Sequence, residues 1–236
     1  MAQLPMMRRI ARYHIWLGWL VGVPLLMWTI SGLVMVARPI EVVRGEHLRL
    51  PVSQQALPSE TNISVTLPTG KDRPVKSVTT VMSGGIPITS FTYMDGAVER
   101  YGPDGNLIHR VTGKDAKRIV AQQIVGGDRV ESTVRFDAED VPIGFRRPIS
   151  VWQVALEGGT HVYVAQQTGQ IAAVRTRWWR IFDFMWGLHI MDLETRGDTS
   201  HPILILFTAL AALGTTLGCI LMFRRRKPKA GPANAG

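Results

Sequence analysis

Apolar positions along the chain fall into three regimes. In the first they are continuous. Ile15 to Ala37 is 23 residues without a charge, and Ile203 to Phe223 is 21 residues without one. About 20 such residues cross a bilayer as a helix, so both runs are expected to span. In the second regime apolar and polar residues alternate. Val75 to Met82, Pro87 to Tyr93, Ala97 to Tyr101 and Asn106 to Val111 read as strands, with turn signals at Asp95-Gly96 and Pro103-Asp104-Gly105. The period changes after Asp115, which can cap a helix to about Val125, with Ala116, Ile119, Val120 and Gln123 at helical spacing. Gly126-Gly127 stops it. Strands resume at Arg129 to Phe136, Ser150 to Leu156, Thr160 to Ala165 and Gln170 to Val174, turning at Gly158-Gly159 and Thr168-Gly169. The expected fold class is α+β, an antiparallel sheet with a packed helix, in two units if the strand, Gly turn, strand pattern around Gly105 and Gly169 is a repeat.

The third regime is Trp178 to Pro202, WWRIFDFMWGLHIMDLETRGDTSHP. It opens with Trp178, Trp179, Phe182, Phe184 and Trp186. Its first part, Trp178 to Met191, is too short to span and too apolar for water, and Trp-rich amphipathic segments belong at the lipid headgroups. Residues 177–202 therefore read as an interfacial helix and loop that seats an outer domain and feeds the second span. The competing reading is a core helix of a soluble domain. The expected organisation is 1–14 as a cytoplasmic N-terminus, 15–37 as the first span and 38–74 as a Pro- and Ser-rich linker. The outer domain follows at 75–176, then the interfacial segment at 177–202, the second span at 203–223 and a basic cytoplasmic tail at 224–236.

Charge changes the picture in one respect. The formal net charge is +9, which would suit nucleic acid if it were spread over the chain. It is not: Arg8, Arg9, Arg12, Arg224, Arg225, Arg226, Lys227 and Lys229 flank the two apolar runs, and the rest is nearly balanced. Basic flanks are retained in the cytoplasm, so both termini are expected there. The domain between the spans then lies outside the membrane, in the periplasm of a Gram-negative cell, and the membrane is the inner one. No nucleic-acid partner is implied. Met35-Val36-Ala37-Arg38 is a poor cleavage site, so the first span reads as an uncleaved anchor. One cysteine, Cys219, excludes an internal disulfide and a multi-Cys metal site.

Candidate chemistry rests on histidines and small residues. Gly18 and Gly22 in the first span, and Gly214 and Gly218 in the second, are GxxxG pairs that let helix backbones approach. The spans are expected to pack on each other there, with a homodimer contact as the alternative. His14 shares the Gly18–Gly22 face and is a candidate haem ligand, with Met222 as its partner; the competing reading is a polar interfacial side chain. His189 and His201 lie on the outer side, roughly 30 Å from His14. They can pair if Asp192 to Ser200 folds back. Met185 and Asp192 share a face with His189, so a Met185/His189 metal site, or haem b on His189 and His201, is conceivable with Asp192 orienting the imidazole. The plainer reading bonds His189 to Asp192 and lets His201 cap the second span. No GxSxG, HExxH, P-loop or dinucleotide fingerprint is present. No catalytic residue is therefore assigned.

Trp152 to Ile171, WQVALEGGTHVYVAQQTGQI, resembles the PepSY domain, whose mark is a strand of VYVD type, a TG turn and a further strand. Ala165 stands where that family usually has Asp. His14-Ile-Trp-Leu-Gly-Trp and the stretch from Arg180 to His201-Pro202 resemble the PepSY-associated transmembrane family. The resemblance implies an inner-membrane protein with a PepSY-like extracytoplasmic domain, linked to bacterial iron and siderophore handling. Larger relatives include haem-containing reductases, and soluble PepSY domains act as peptidase-inhibiting segments. The expected role is a non-catalytic binding or accessory module, its partners the lipid bilayer and another envelope or membrane protein, or a further copy of the chain. A haem b electron-transfer subunit and a peptidase regulator are the alternatives.

Overall fold

The computed structural model describes residues 3–52, 55–58 and 73–224. Much of the expected 38–74 linker, at 53–54 and 59–72, lies outside the described residues, as does the basic tail after Arg224. The two continuous apolar runs are helices: α1 at Gln3–Val36 and α5 at Pro202–Arg224. Met6–Val36 and Pro202–Phe223 are both long and apolar enough to cross a membrane. The chain divides into two compact units, the helical one with the chain from Ile181 onward, and a second at Pro39–Arg180.

In the helical unit α1 packs on α5. The covered positions of α1 centre on His14, Leu17, Val21, Pro24, Trp28, Ser31 and Met35; those of α5 centre on Leu204, Phe207, Ala211, Gly214, Gly218 and Leu221. Both sets step alternately by three and four residues. That 3.5-residue repeat is the seam of a left-handed helix pair. Every other face of the two helices is exposed and mostly apolar, as a lipid-facing surface requires.

The second unit begins with the short helix α2 at Ile40–Val43 and a 3-10 turn at Glu46–Leu48. Two four-stranded antiparallel sheets follow, each a meander in sequence order. The first holds β1 (Val75–Ser83), β2 (Ile86–Tyr93), β3 (Val98–Tyr101) and β4 (Leu107–Ile108). The second holds β5 (Val130–Phe136), β6 (Val151–Leu156), β7 (Thr160–Ala165) and β8 (Ile171–Arg175). The helix α3 at Gly113–Gln123 joins them. The fold is α+β, and every strand and helix expected in this region is present. The sheets do form two similar units, but only the second carries a helix. β4 is shorter than expected because Val111 donates its N–H to the Gln166 carbonyl. The chain there has already crossed to the second sheet.

Alternation dictates the packing. In β7, Val162 and Val164 face α3, where Ala116, Val120 and Ile124 meet Val154, Leu156 and Val174 in a closed core. The other face of the same strand presents His161 and Tyr163, and the loop before β6 covers part of it by stacking Phe145 on Tyr163 at 4.9 Å between ring centroids. The first sheet is tied to the second through Val98 N–H to Gln167 Oε1 at 3.2 Å and Arg100 Nη1 to the Thr168 carbonyl at 3.0 Å.

The start of α3 is fixed by a reciprocal cap. Thr112 Oγ1 accepts from the Asp115 N–H, and the Asp115 carboxylate accepts from the Thr112 N–H. Both satisfy donors that a helix end leaves open. Thr112→Ala should therefore lower the stability of this unit by about 1 kcal/mol. Denaturant unfolding of the detergent-solubilised protein, followed by far-UV circular dichroism, reads this. An unchanged midpoint would make the cap dispensable.

Candidate functional site

Lipid offers no hydrogen bonds, so a polar side chain in the seam must find its partner in the protein. His14 does so with Nδ1 3.0 Å from the Gly214 carbonyl. A carbonyl only accepts, so Nδ1 carries a proton, and in the neutral ring Nε2 keeps its lone pair. The ring lies against α5 where a side chain is missing. A Cβ on Gly218 would stand 2.9 Å from His14 Cε1 and 3.4 Å from Nε2. The second GxxxG pair is thus a cradle for an imidazole.

The first pair is not at the seam. Gly18 and Gly22 are exposed, and a Cβ on either would meet nothing within 4 Å. This corrects the expectation that they face the other span. Each step of four residues overshoots a full turn by about 40°, so a row through 14, 18 and 22 leaves the contact face, while His14, Leu17 and Val21 stay on it. Met222, the partner considered for His14, is 62% exposed and lies off the seam.

At the other end of α1 the pattern repeats with a hydroxyl. Ser31 is fully buried. Its Oγ donates to the Trp28 carbonyl at 3.1 Å and stands 2.9 Å from His189 Nδ1. The Trp28 carbonyl can take its one hydrogen, and in that arrangement the hydroxyl accepts from His189, so that Nδ1 carries a proton and Nε2 of the neutral ring keeps its lone pair. Gly32 makes room, since a Cβ there would lie 3.6 Å from His189 Cε1. Ser31 was not singled out from the sequence. Its signal was a lone Ser beside Gly, in a long apolar run, on the seam repeat.

His189 ends the aromatic helix α4 at Arg177–His189. The helix closes with Asp192 N–H on the Gly187 carbonyl and Met191 N–H on the Leu188 carbonyl, Met191 being left-handed at φ 56°. That is a Schellman end. The following loop folds back, as a His189–His201 pairing requires. Arg196 Nη1 reaches the buried Asp183 carboxylate at 2.6 Å, and Trp186 Nε1 donates to the Arg196 carbonyl at 3.2 Å. Asp192 does not orient His189. Its carboxylate accepts from the Thr195 hydroxyl and from the N–H groups of Thr195, Gly197 and Asp198. The Thr195 hydroxyl first, and then those backbone donors, hold its carboxyl well below the usual carboxylate range.

His201 precedes Pro202, which opens α5, and its Nδ1 is buried without a hydrogen-bond partner. A Cβ on Gly214 would meet Leu17, and the helices run antiparallel, so His201 is level with Ile30, next to Ser31. The structure thus brings His189 and His201 to one level of the helix pair. It leaves His14 about 25 Å away along α1, from the rise of the 17 intervening steps. Met185 is half-buried one turn before His189. Among the described residues no group of three or more His, Cys, Asp or Glu gathers as a metal site would need.

The model of the family described as PepSY-associated TM region matches residues 11–234. No curated protein and no solved structure matches the chain.

The seam geometry separates the glycines by position. Gly218→Val should force His14 from its cradle and lower the thermal midpoint in detergent by several degrees, while Gly18→Val should leave it within a degree or two of wild type. Equal losses at the two positions would contradict the cradle.

Proposed function

This chain belongs to the PepSY-associated transmembrane family, and we propose that it works as a membrane-anchored binding or accessory module of the cell envelope. It is a membrane protein of PepSY type. The observation that carries the reading is the use made of the polar groups in the helical unit. His14 fastens α1 to α5 through a backbone carbonyl, and His189 fastens α4 to α1 through Ser31. The helices serve as an anchor, and the two sheets are the part free to meet a partner. The basic flanks support cytoplasmic termini with the domain outside the inner membrane. The family supports iron or siderophore handling as the setting.

One observation favours a second reading. Each tethered imidazole leaves Nε2 basic, which is the nitrogen that a haem iron or other metal would take. His14 alone would serve at the inner level, and His189 with His201 at the outer. Haem bound there would supply one-electron transfer, and the chain's own part is to fix the ring tautomer and orientation through Gly214 and Ser31. The seam at His14 is closed against Gly218, so any further ligand to a group held there would come from another chain.

An absorption spectrum of the detergent-purified protein, made in haem-replete cells and recorded oxidised and dithionite-reduced, decides between the two. The module reading expects no Soret band. A band that sharpens on reduction and disappears in His189→Ala establishes the electron-transfer reading instead. Orientation is checked separately: a reporter fused after Arg226 should be active only in the cytoplasm, and activity outside would overturn the arrangement.

A further inference from the structure

We propose that the outer edge of β8, through Arg49 and Arg147, holds the phosphate of an anionic phospholipid headgroup and so docks the second unit on the bilayer surface. The proposal deepens the anchored-module reading and rests on it. β8 ends its sheet and pairs with β7 alone among the described strands, so its outer carbonyls need donors from elsewhere. Arginines supply them. Arg49 Nη1 and Nη2 lie 3.5 and 3.4 Å from the Ile171 carbonyl, and Arg147 Nη1 donates to the Ala172 carbonyl at 3.3 Å. Ile171 and Ala172 are neighbours, so the two guanidinium groups stand within roughly 10 Å of each other, one Cα spacing and two hydrogen bonds. Both arginines are exposed. A carbonyl holds a guanidinium in place without neutralising it. Neither arginine has a carboxylate partner among the described residues.

Both arginines come from stretches that lie along β8. Residues 39–50 do so through Gly45, where a Cβ would meet Val174 and Thr176, and through the Thr176 hydroxyl, which donates to the Val43 carbonyl at 3.4 Å. The 143–149 loop does so through Arg175 Nε, which donates to the Gly144 carbonyl at 2.8 Å. Together with 171–177 these stretches hold six arginines against two glutamates, an excess that attracts an anionic surface. Ile40, Leu50, Ile143 and Ile149 are exposed in the same stretches, and the Arg175 guanidinium lies over the Trp179 ring at 4.2 Å from its centroid. A free phosphate gains nothing from apolar neighbours. A headgroup phosphate does, because it sits beside the first methylenes of the acyl chains, the level at which arginine, tryptophan and aliphatic side chains are stable together. The chain points the same way. Val43 follows the end of α1 by seven residues, and α4 opens two residues after Arg175. The chain therefore enters and leaves this unit beside the β8 edge.

The test uses the full chain in nanodiscs, with Cys219→Ser and a fluorophore on Pro148→Cys, a position exposed next to Arg147. Discs of phosphatidylcholine are compared with discs of phosphatidylcholine and phosphatidylglycerol in equal parts. Each carries a trace of lipid with a nitroxide quencher on its headgroup. Quenching is expected to rise when phosphatidylglycerol is present. Arg147→Gln should weaken the docking equilibrium about fivefold, and Arg49→Gln combined with it should remove the rise. Arg110→Gln, an exposed charge outside these stretches, should leave the rise unchanged. Equal quenching in the two kinds of disc, or a rise that the double variant keeps, overturns the proposal. If the double variant does not fold, salt decides with both arginines in place. The rise should vanish near about 1 M sodium chloride, where charges are screened beyond about 3 Å, and a rise that persists overturns the site. Loss of the rise to sodium phosphate, at an ionic strength where chloride has no effect, shows that the edge prefers the free anion and overturns the headgroup as its occupant. Failure of the docking leaves the chromophore and reporter outcomes untouched, so it is distinguishable from failure of the module reading.

Discussion

An imidazole placed in the seam between two apolar helices must give its proton to something, and the oxygen it reaches is a backbone carbonyl. That constraint shapes the helical unit. The Gly214 carbonyl can accept from His14 while keeping its helical bond, because a carbonyl oxygen has two lone pairs. The ring reaches it because Gly218 has no side chain to stand in the way. Ser31 answers the same demand at the other end of α1, turning its one hydrogen to Trp28 and its lone pair to His189. The seam that α1 and α5 share is otherwise apolar, so the His14 tether sets its register, while the Ser31 contact holds α4 to α1.

The segment from α4 to α5 follows from a second constraint, that the chain must reverse in a short distance. Gly187 lies under the reversal. A Cβ there would come within 2.9 Å of the Asp192 carbonyl and 2.8 Å of Arg196 Cγ. Arg196 adopts a left-handed backbone, φ 53°, and lays its guanidinium on Asp183. An ion pair with one partner buried contributes little net stability, yet removing one partner leaves a charge stranded, at a cost of roughly 3–5 kcal/mol. The pair therefore specifies the reversal more than it strengthens it. Asp192 closes the turn by accepting from the N–H groups of Thr195, Gly197 and Asp198 downstream, and Pro202 starts α5 where its missing N–H is no loss.

Much of this was legible in the sequence. Apolar runs and alternation located both long helices and all eight strands, because burial of a helix stripe or a sheet face leaves a period in the residues. The α+β class followed from the same signals, while the family resemblance came from the motifs at Trp152 to Ile171 and from Arg180 to His201-Pro202. What the sequence did not disclose was partnership. Gly18–Gly22 and Gly214–Gly218 look alike as letters, yet only the second pair lies on the seam, since the 3–4 repeat of α1 runs through Leu17 and Val21. Asp192 at i+3 from His189 has the spacing of an orienting carboxylate, and the local turn claimed it first. Ser31 carried too little signal to be chosen over it. Spacing gives the face of one helix; which atom meets which depends on the rotation of two.

The tethers bear on function because an imidazole is a costly choice for a fastening. Asn at position 14 could donate to the Gly214 carbonyl through its amide, and Ser or Thr could do the same through a hydroxyl, without an aromatic ring to house beside Gly218. What the imidazole adds is a second nitrogen. Once Nδ1 is committed to the Gly214 carbonyl or to Ser31, the tautomer is settled and Nε2 is basic at both levels. Fastening consumes one nitrogen and defines the other, so the two readings of the helical unit are not rivals for the same atoms. An anchor needs only the Nδ1 contacts. A cofactor or metal would need the Nε2 positions that those contacts create, and at the outer level it would find His201 beside them with its own Nδ1 buried and unpartnered. Among the described residues, Trp28 Nε1 and His201 Nδ1 are the buried polar side-chain atoms of the helical unit without a hydrogen-bond partner, and both residues lie within a turn of the level of the Ser31–His189 contact, which is where any chemistry of the helical unit has to begin.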